Sequence, residues 1–418
     1  MRREDQMRRM NVVRLTAVLA VVLGFAVSAR AQAPTGSVTV FEGARLITGN
    51  EAAPIENGTL LMQGTRIVQA GRAADVQVPA GATRVNVAGK TIMPMVVDTH
   101  THLSTTPEGL TKDLKRRAYY GVSAAISLGT DGFGLLDMRE KTMPGTARYF
   151  SAGKGITRIE PGRPTFQINS EAEGRKAVQE NAAHRVDIIK VWVDDREGKV
   201  DKVTPLQYAA IVDEAHNRGL RVTAHIFNME DAKGLIRAGL DAFAHGVRDR
   251  DMDDETVALF RAHPYLTLTP NLPDRGVKVD NSWLKASLSA DEYGRLEKEN
   301  TDRPKQQEAY GIQARNLKRL SQAGVRITMG TDGNRPWGPH EEMADMVTAG
   351  MTPMQVIVAA TRNSAGFLRM TDSGTLDPGM SADFVVLDAN PLDDITNTRK
   401  ISAVYLRGAA VDRSVPIN

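Results

Sequence analysis

The hydrophobic pattern of the chain changes near residue 92. Between about residues 36 and 92, short apolar segments alternate with turns that contain Gly and Asn, as in antiparallel strands. After residue 92, apolar runs of strand length alternate with amphipathic stretches of helical length. This alternation is typical of βαβ units around a parallel sheet. Short apolar strands return after residue 372.

The middle region contains eight candidate strands, the number that closes a (β/α)8 or TIM barrel. They are Ile92–Asp98, Ala124–Leu128, Arg148–Ala152, Ile188–Val193, Arg221–Ala224, Ala242–Ala244, Leu266–Thr269 and Arg326–Met329. Helices fit between them, because Thr204-Pro205 and Thr352-Pro353 each combine an N-cap threonine with a proline in the first turn.

The pattern predicts an α/β protein with a TIM barrel and a small β-sandwich built from both termini. Neither strand-rich end is long enough to bury a core alone, so we expect the two ends to pair. The predicted boundaries are 1–31 for a signal peptide, 32–92 and 371–418 for the two parts of the β-sandwich, and 93–370 for the barrel.

Residues 1–31 have the pattern of a secretory signal peptide. Arginines precede an apolar stretch over residues 15–27, and Ala29-Arg30-Ala31 supplies small residues at the cleavage positions. An uncleaved membrane anchor is the alternative. We therefore expect a periplasmic or secreted protein that is free of the membrane after cleavage. The chain has no Cys, so a large core must stabilise it without disulfides.

The pI of about 9.0 overstates the basic character of the mature chain. Residues 1–31 hold six arginines against Glu4 and Asp5, which leaves 47 basic and 48 acidic residues in the remainder. This balance, without a long basic run, argues against a nucleic-acid partner. The expected partner is a small-molecule substrate, and both a monomer and a homo-oligomer remain open.

His100 and His102 end the apolar run that begins at Thr91. Residues two apart on a strand share one face, so both imidazoles could bind one metal ion. The alternative is a pair of half-buried polar residues where a strand meets its loop, because short motifs are common by chance. The rest of the chain must decide between the two interpretations.

Four further strands carry chemically active residues at or near their C-terminal ends, where barrel enzymes place functional groups. They are Lys190, His225, His245 and Asp332. A charged lysine within a parallel strand is costly unless it reaches water. Alternatively, the neutral amine, which burial favours, can react with CO2 to form a carbamate that bridges two metal ions.

This combination resembles the amidohydrolase superfamily, and within it the imidazolonepropionase-like and prolidase-like (Xaa-Pro dipeptidase-like) branch. The resemblance rests on the His-x-His motif, Lys190 and the segments 222–225, 244–246, 330–333 and 374–387, and it extends from about residue 36 to 411. It implies a barrel with a β-sandwich from both termini, and a metal-dependent hydrolase that acts on carbon–nitrogen bonds of amides or peptides.

The resemblance also implies roles for individual residues around two divalent metal ions. The first ion would be held by His100, His102 and Asp332, the second by His225 and His245, and both by carboxylated Lys190. Zinc is the expected metal, with manganese, cobalt and iron as alternatives. A hydroxide between the ions would attack the carbonyl carbon, while Asp332 would pass its proton to the leaving nitrogen.

Two residues are candidate substrate contacts. His340 follows the last strand, and its alternative role is that of a helix N-terminal or supporting residue. Arg163 lies in the loop after the third strand, where relatives often carry Gly-Gly-His. Either Arg163 or Arg158 could bind a substrate carboxylate, or both could be solvated loop charges. The long connection 273–324 is either a lid or a packed helix pair.

The expected substrate is a dipeptide or an N-acyl amino acid. Hydrolysis of an ester, a lactone or a phosphotriester is an alternative, because the same hydroxide attacks those centres as well. A catalytically idle metal-binding scaffold is a second alternative. Asp332 argues against the scaffold, because a scaffold needs no proton shuttle.

Overall fold

A computed structural model describes residues 36–414, apart from residues 142, 161 and 273–274. The predicted signal peptide lies outside the described residues. No helix in the described part of the chain is long and apolar enough to cross a membrane.

In chain order, the strands are β1 (Val38–Leu46), β2 (Ile55–Gln63), β3 (Arg66–Arg72), β4 (Thr83–Asn86), β5 (Thr91–Pro94), β6 (Val96–Thr101), β7 (Val122–Ser127), β8 (Arg148–Ser151), β9 (Ile156–Thr157), β10 (Phe166–Gln167), β11 (Ile189–Val193), β12 (Val222–Ile226), β13 (Ala242–Ala244), β14 (Thr267–Thr269), β15 (Arg326–Ile327), β16 (Phe384–Leu387), β17 (Ile401–Leu406) and β18 (Ala409–Ala410). The helices are α1 (Pro107–Tyr119), α2 (Glu171–Ala183), α3 (Pro205–Asn217), α4 (Met229–Arg237), α5 (Asp254–Ala262), α6 (Ala290–Glu299), α7 (Pro304–Gln322), α8 (Gly338–Thr348), α9 (Pro353–Val358) and α10 (Ser364–Phe367).

Strands from both ends of the chain form one mixed sheet, in the order β18-β17-β16-β5-β1-β2-β3, with β4 paired to β1. β16 pairs antiparallel with β5, so that Val386 lies opposite Ile92. The rings of Phe41, Phe384 and Tyr405 pack together in the core of this sheet. The two ends therefore share a sheet as predicted, and the finer description as a β-sandwich stays a prediction.

The middle of the chain forms two parallel sheets, β6-β7-β8 and β10-β9-β11-β12-β13-β14-β15. Backbone hydrogen bonds connect them on both sides. Thr99 N donates to Met329 O at 3.0 Å beyond β15, and Asp187 N donates to Ser151 O at 2.9 Å ahead of β11. The α/β class is confirmed, whereas closure into a single (β/α)8 barrel stays a prediction.

The predicted strand Ile92–Asp98 is in fact two strands. β5 joins the terminal sheet and β6 begins the parallel strands. Pro94 ends β5 because it has no N–H for a ladder hydrogen bond, and Met95 N then donates to Asp383 O in the terminal sheet. A continuous apolar run therefore concealed the boundary between two sheets.

The predicted helix starts at Thr204 and Thr352 are present. Each threonine side chain accepts a hydrogen bond from the backbone N–H three residues later and forms a capping box with a glutamine, before α3 and α9 respectively. α9 continues through a π-helical turn, Ala359–Asn363, into α10. Ser364, the first residue of α10, accepts a hydrogen bond from Met329 N at 3.1 Å, which connects this helix to the segment after β15.

The long connection after β14 forms the short 3-10 helix Ser282–Leu284 and the helices α6 and α7. Leu284 and Leu288 pack with Tyr119, Tyr120 and Trp337 in one buried cluster. Tyr120 also donates to Ser287 Oγ at 2.7 Å. This packing favours the helix-pair interpretation of the connection over a lid.

Candidate metal centre

His100 and His102 project from the C-terminal end of β6, with the ring of His100 buried and that of His102 half-buried. The Nε2 atoms of both rings lie 3.1 Å from Asp332 Oδ1. The three potential ligand atoms lie within 4.8 Å of one another. The structure therefore assembles three of the predicted ligands around one point.

The other nitrogen of each ring is hydrogen-bonded to the protein. His100 Nδ1 lies 2.9 Å from Asn271 Oδ1, and His102 Nδ1 lies 3.0 Å from Thr130 Oγ1. An amide oxygen only accepts hydrogen bonds, so His100 Nδ1 carries the proton and Nε2 keeps its lone pair. Such outer contacts orient metal-ligating histidines.

The backbone places Asp332 over the end of β6. Thr331 N and Asp332 N both donate to His100 O, at 3.0 and 2.8 Å, and Asp332 has a φ of 50°. Below them lies the fully buried ion pair Arg117–Asp98, at 2.8 Å, whose carboxylate also accepts from Thr331 Oγ1. Aspartate tolerates this left-handed conformation better than most residues do.

The histidines at the ends of β12 and β13 lie beside this group. The centroid of the His245 ring is 5.2 Å from that of His100 and 4.5 Å from that of His225. His245 Nε2 is 3.4 Å from Asp332 Oδ2, and within the described residues neither ring nitrogen of His245 has a hydrogen-bond partner. The four histidines thus form one continuous cluster.

Burial sets the charge states in the cluster. Desolvation lowers the pKa of His100 to about 4 and that of His225 to about 3, so both rings are neutral at pH 7. For Asp332, burial opposes ionisation, but interactions with the imidazoles of His100, His245 and His102 hold the pKa well below its usual value. Neutral imidazoles and an ionised carboxylate are the forms that bind metal ions.

Lys190 lies in the middle of β11 and is fully buried. Its Nζ has no hydrogen-bond partner among the described residues and lies 5.2 Å from the centroid of the Trp192 ring. Desolvation lowers the pKa of the amine to about 7, although Asp332 raises it again in part. A large fraction of Lys190 is therefore neutral at physiological pH.

The donor set fits divalent metal ions. Among the described residues, the buried atoms without a hydrogen-bond partner include both ring nitrogens of His245 and Lys190 Nζ. A buried polar atom without a partner is costly, and a bound ion would remove that cost for the imidazoles. His100, His102 and Asp332 form a candidate metal site, and the complete two-metal ligand set stays a prediction.

His340, on α8, does not join the cluster. Its Nδ1 lies 3.1 Å from Thr398 Oγ1 and its Nε2 lies 3.0 Å from Tyr120 O, within a fully buried environment. Both ring nitrogens are therefore engaged away from the metal centre. This placement favours the supporting role, and a substrate contact by His340 stays a prediction.

Arg163 lies beside the strand that carries Lys190. Its guanidinium stacks 4.2 Å from the centroid of the Trp192 ring and pairs with Glu160 at 2.9 Å. It also disfavours the charged form of Lys190 electrostatically, which places it near the centre. Arg158 instead pairs with Asp201 at 3.0 Å. The role of Arg163 in substrate binding stays a prediction.

A second group of residues around His225 was missed from the sequence. His225 Nε2 lies 2.9 Å from Asp194 Oδ2, 3.1 Å from Arg248 Nη2 and 3.5 Å from Arg196 Nη1. Burial would raise the pKa of Asp194, but the hydrogen bond with His225 lowers it below its usual value. These residues also follow the C-terminal ends of strands, so the rule that found His225 could have found them.

Comparison with known proteins gives consistent matches over most of the chain. Residues 91–411 match the family model described as "Amidohydrolase family". An imidazolonepropionase from Shouchella clausii is 24% identical over 379 residues, which cover 81% of each chain. An uncharacterized protein from Mycobacterium tuberculosis is 28% identical over 352 residues, which cover 79% of this chain and 87% of the relative. The crystal structure of a putative prolidase from Bifidobacterium longum aligns with a TM-score of 0.76 and 26% identity, over 92% of this chain and 96% of the other.

Proposed function

The chain belongs to the amidohydrolase family of hydrolases, and we propose that it cleaves an amide bond in a dipeptide or an N-acyl amino acid with the help of two divalent metal ions. One observation carries the proposal. Neutral imidazoles and an ionised aspartate lie together at the ends of parallel strands, near a buried lysine within β11 that has no hydrogen-bond partner among the described residues. Similarity to an imidazolonepropionase and to a putative prolidase supports the choice of an amide bond.

The proposed ligand set is the one that the family resemblance implies, and the clustering of the four histidines with Asp332 supports it. One ion would be held by His100, His102 and Asp332, a second by His225 and His245, and both by the carboxylated amine of Lys190. Zinc is the expected ion, because imidazole nitrogens dominate the set. When bound, the ions would acidify a water molecule and polarise the carbonyl group of the substrate.

Lys190 can supply the bridging anion without a further residue. The lone pair of the neutral amine adds to the carbon of CO2, a nitrogen–carbon bond forms, and one proton leaves to solvent. The product is a carbamate with two oxygen donors. Burial, which lowers the pKa of Lys190 to about 7, keeps the amine in the reactive form.

Asp332 is the proposed proton carrier. Its backbone N–H donates to His100 O in β6, and its carboxylate Oδ1 lies 3.1 Å from the Nε2 atoms of both His100 and His102. A pKa below the usual value keeps Asp332 ionised across the neutral range, and the position of its carboxylate in the imidazole cluster, not a high basicity, makes it the proposed acceptor of the water proton. Transfer of that proton to the leaving nitrogen would complete the cleavage and restore the carboxylate.

Metal removal tests this proposal. Hydrolysis of a panel of dipeptides and N-acetyl amino acids should be lost after dialysis against a chelator and restored by zinc with bicarbonate. The matched control is the chelated protein given bicarbonate without zinc, which should stay inactive. Amide hydrolysis that is insensitive to the chelator would overturn the proposal, as would reconstituted protein that hydrolyses esters or phosphotriesters and no amide.

We also propose the finer architecture and the location. Hydrogen bonds between the edges of the two parallel sheets support closure into a (β/α)8 barrel, with the terminal sheet as part of a β-sandwich. The pattern of residues 1–31 supports export and cleavage after Ala31. Mass spectrometry of the exported protein tests the cleavage, because an intact N-terminus would contradict it.

A further inference from the structure

Glu342, on α8, is a buried carboxyl group that no basic side chain pairs with in the described part of the chain. Only 5% of its surface is exposed, and its two carboxyl oxygens accept a hydrogen bond from Leu272 N, at 3.0 and 3.1 Å. Burial raises its pKa well above the usual value, and the negative charges of Asp345, Asp98 and Asp332 raise it further. A buried carboxyl group is costly, which indicates that its one contact serves the protein.

The contact lies beside the residue that orients His100. Leu272 N belongs to the peptide bond that follows Asn271, whose side-chain Oδ1 lies 2.9 Å from His100 Nδ1. Asn271 is buried and has a φ of 43°. Even asparagine adopts this left-handed conformation at an energetic cost, so the surrounding structure must hold it there.

The sheet does not hold this segment. The pairing of β14 with β13 ends at Thr269, so the peptides that follow have no neighbouring strand. Among the described residues, Leu272 N donates only to Glu342. The carboxyl group therefore replaces, for one peptide, the hydrogen bond that a neighbouring strand supplies within the sheet.

We propose that Glu342 is a positioning residue for His100 in the candidate metal site. Its carboxyl group fixes Leu272 N, and the fixed peptide keeps Asn271 in its left-handed conformation. The amide oxygen of Asn271 then holds Nδ1 of His100, so that Nε2 points towards Asp332. The inference rests on the metal centre of the proposed function, and it does not depend on which bond the enzyme cleaves.

Packing of α8 is the competing explanation for the contact. Leu272 belongs to the same hydrophobic cluster as Met343 and Met346 of α8, so Glu342 also joins this helix to the segment after β14. The two explanations predict different losses. A contact that only packs the helix contributes to the stability of the fold and leaves the zinc affinity of the folded protein unchanged. A positioning contact contributes to zinc affinity, and only while Asn271 is present.

The experiment is a pair of double-mutant cycles on the affinity for the more tightly bound zinc ion, measured by competition with a chromogenic chelator. Glu342→Met should weaken binding about 10-fold, at the lower end of the range for outer contacts of metal ligands. In an Asn271→Ala background the same change should cause no further loss, because the side chain through which it acts is gone. In a Thr130→Ala background the two losses should multiply, because Thr130 orients the other histidine, His102.

Glu342→Gln is the matched conservative variant. Its amide oxygen can accept the hydrogen bond from Leu272 N at nearly the same volume, so its zinc affinity should return close to that of wild type. Glu308→Met, at an exposed position of α7, controls for the loss of a carboxyl group and should bind zinc as wild type does. If Glu342→Met does not fold, Glu342→Asp, which withdraws the carboxyl group by one methylene, takes its place in both cycles.

Two outcomes would overturn the inference. One is a zinc affinity of the Glu342 variant equal to that of wild type, and the other is an equal loss with and without the Asn271 side chain. Either would leave Glu342 with the packing role alone. A wild type that binds no zinc would overturn the metal centre and this inference together, whereas one that binds zinc and hydrolyses no amide would overturn only the proposed function.

Discussion

The two halves of the candidate metal centre are organised in different ways. In the half formed by β6 and Asp332, both histidines have an outer hydrogen bond, and the backbone of the aspartate is bonded to His100. In the other half, His225 contacts Asp194 and Arg248, whereas His245 and Lys190 Nζ have no hydrogen-bond partner among the described residues. The first half is thus positioned by the protein alone.

This difference indicates how each half would gain an ion. Ligands that are already oriented lose little conformational freedom on binding, so the β6 half should bind an ion first and most tightly. In the second half, the carboxylate of Asp194 contacts His225 but is already paired with Arg196, and Asp332 is shared with the first half. Its occupancy should therefore depend on the carbamate of Lys190. The predictions below test this asymmetry.

Loss of the Asp332 carboxylate, which both halves share, should lower the rate of amide hydrolysis more than any other change considered. Asp332→Asn keeps the side-chain volume but removes the negative charge and the proton acceptor of both halves. We expect kcat for amide hydrolysis to fall about 1000-fold or more, a loss at the level typical of a general acid–base group. Steady-state kinetics at saturating zinc measure it. Asp201→Asn, on an exposed loop, is the control, and equal activity of both variants would contradict the role of Asp332.

Lys190→Ala should change the metal occupancy of the two halves to different extents. Without the bridging anion, the zinc content should fall from two ions per chain to one or none, with the remaining ion in the β6 half. Short carboxylic acids should restore part of the activity, because they can occupy the vacated space. Elemental analysis after dialysis measures the ions, with the exposed Lys199→Ala as control. A Lys190→Ala protein that retains two tightly bound ions would show that no carbamate bridge exists.

The hydrogen bonds that hold the Nδ1 atoms of His100 and His102 should contribute unequally to zinc affinity. Asn271→Ala removes the partner of the buried His100 and should weaken zinc binding about 10- to 100-fold. Thr130→Ala removes the partner of His102, whose ring is half-exposed, so water can replace the lost contact and the effect should be smaller. Competition with a chromogenic chelator measures both affinities. The reverse order would contradict the proposed organisation.

The smallest expected effect is a pH dependence of the metal-free protein. Burial lowers the pKa of His100 to about 4 and that of His225 to about 3, against a usual value of 6.5. The unfolded state therefore binds more protons below pH 6.5, and stability is lost as the pH falls from 6.5 towards 4. Each histidine should cost about 1 kcal/mol between pH 7 and pH 5.5. Urea midpoints measure this change, and a flat profile would contradict the buried neutral state.

The sequence identified candidate site residues where a polar residue ended a predicted strand. Polar residues at strand ends predicted His100, His225 and Asp332, because the C-terminal ends of parallel strands converge. The division of Ile92–Asp98 into β5 and β6 was not visible, because both strands are fully buried and differ only in the sheet that they join.

Other features depend on the conformation of loops. Asn271 reaches His100 from a backbone with a φ of 43°, which no periodic pattern reveals. His340 directly follows the loop after β15, yet its position on α8 turns the ring towards Tyr120 O and Thr398. Arg248 has no carboxylate in contact among the described residues, and only the folded structure shows this.

Anomalous diffraction from zinc-loaded crystals tests the central claim most directly. The account predicts two zinc peaks. One should be bound by His100, His102 and Asp332 and the other by His225 and His245, with electron density for a carbamate extending from Lys190 Nζ to both. Zinc bound elsewhere in the chain, or a single peak beside an unmodified Lys190 amine, would contradict the account.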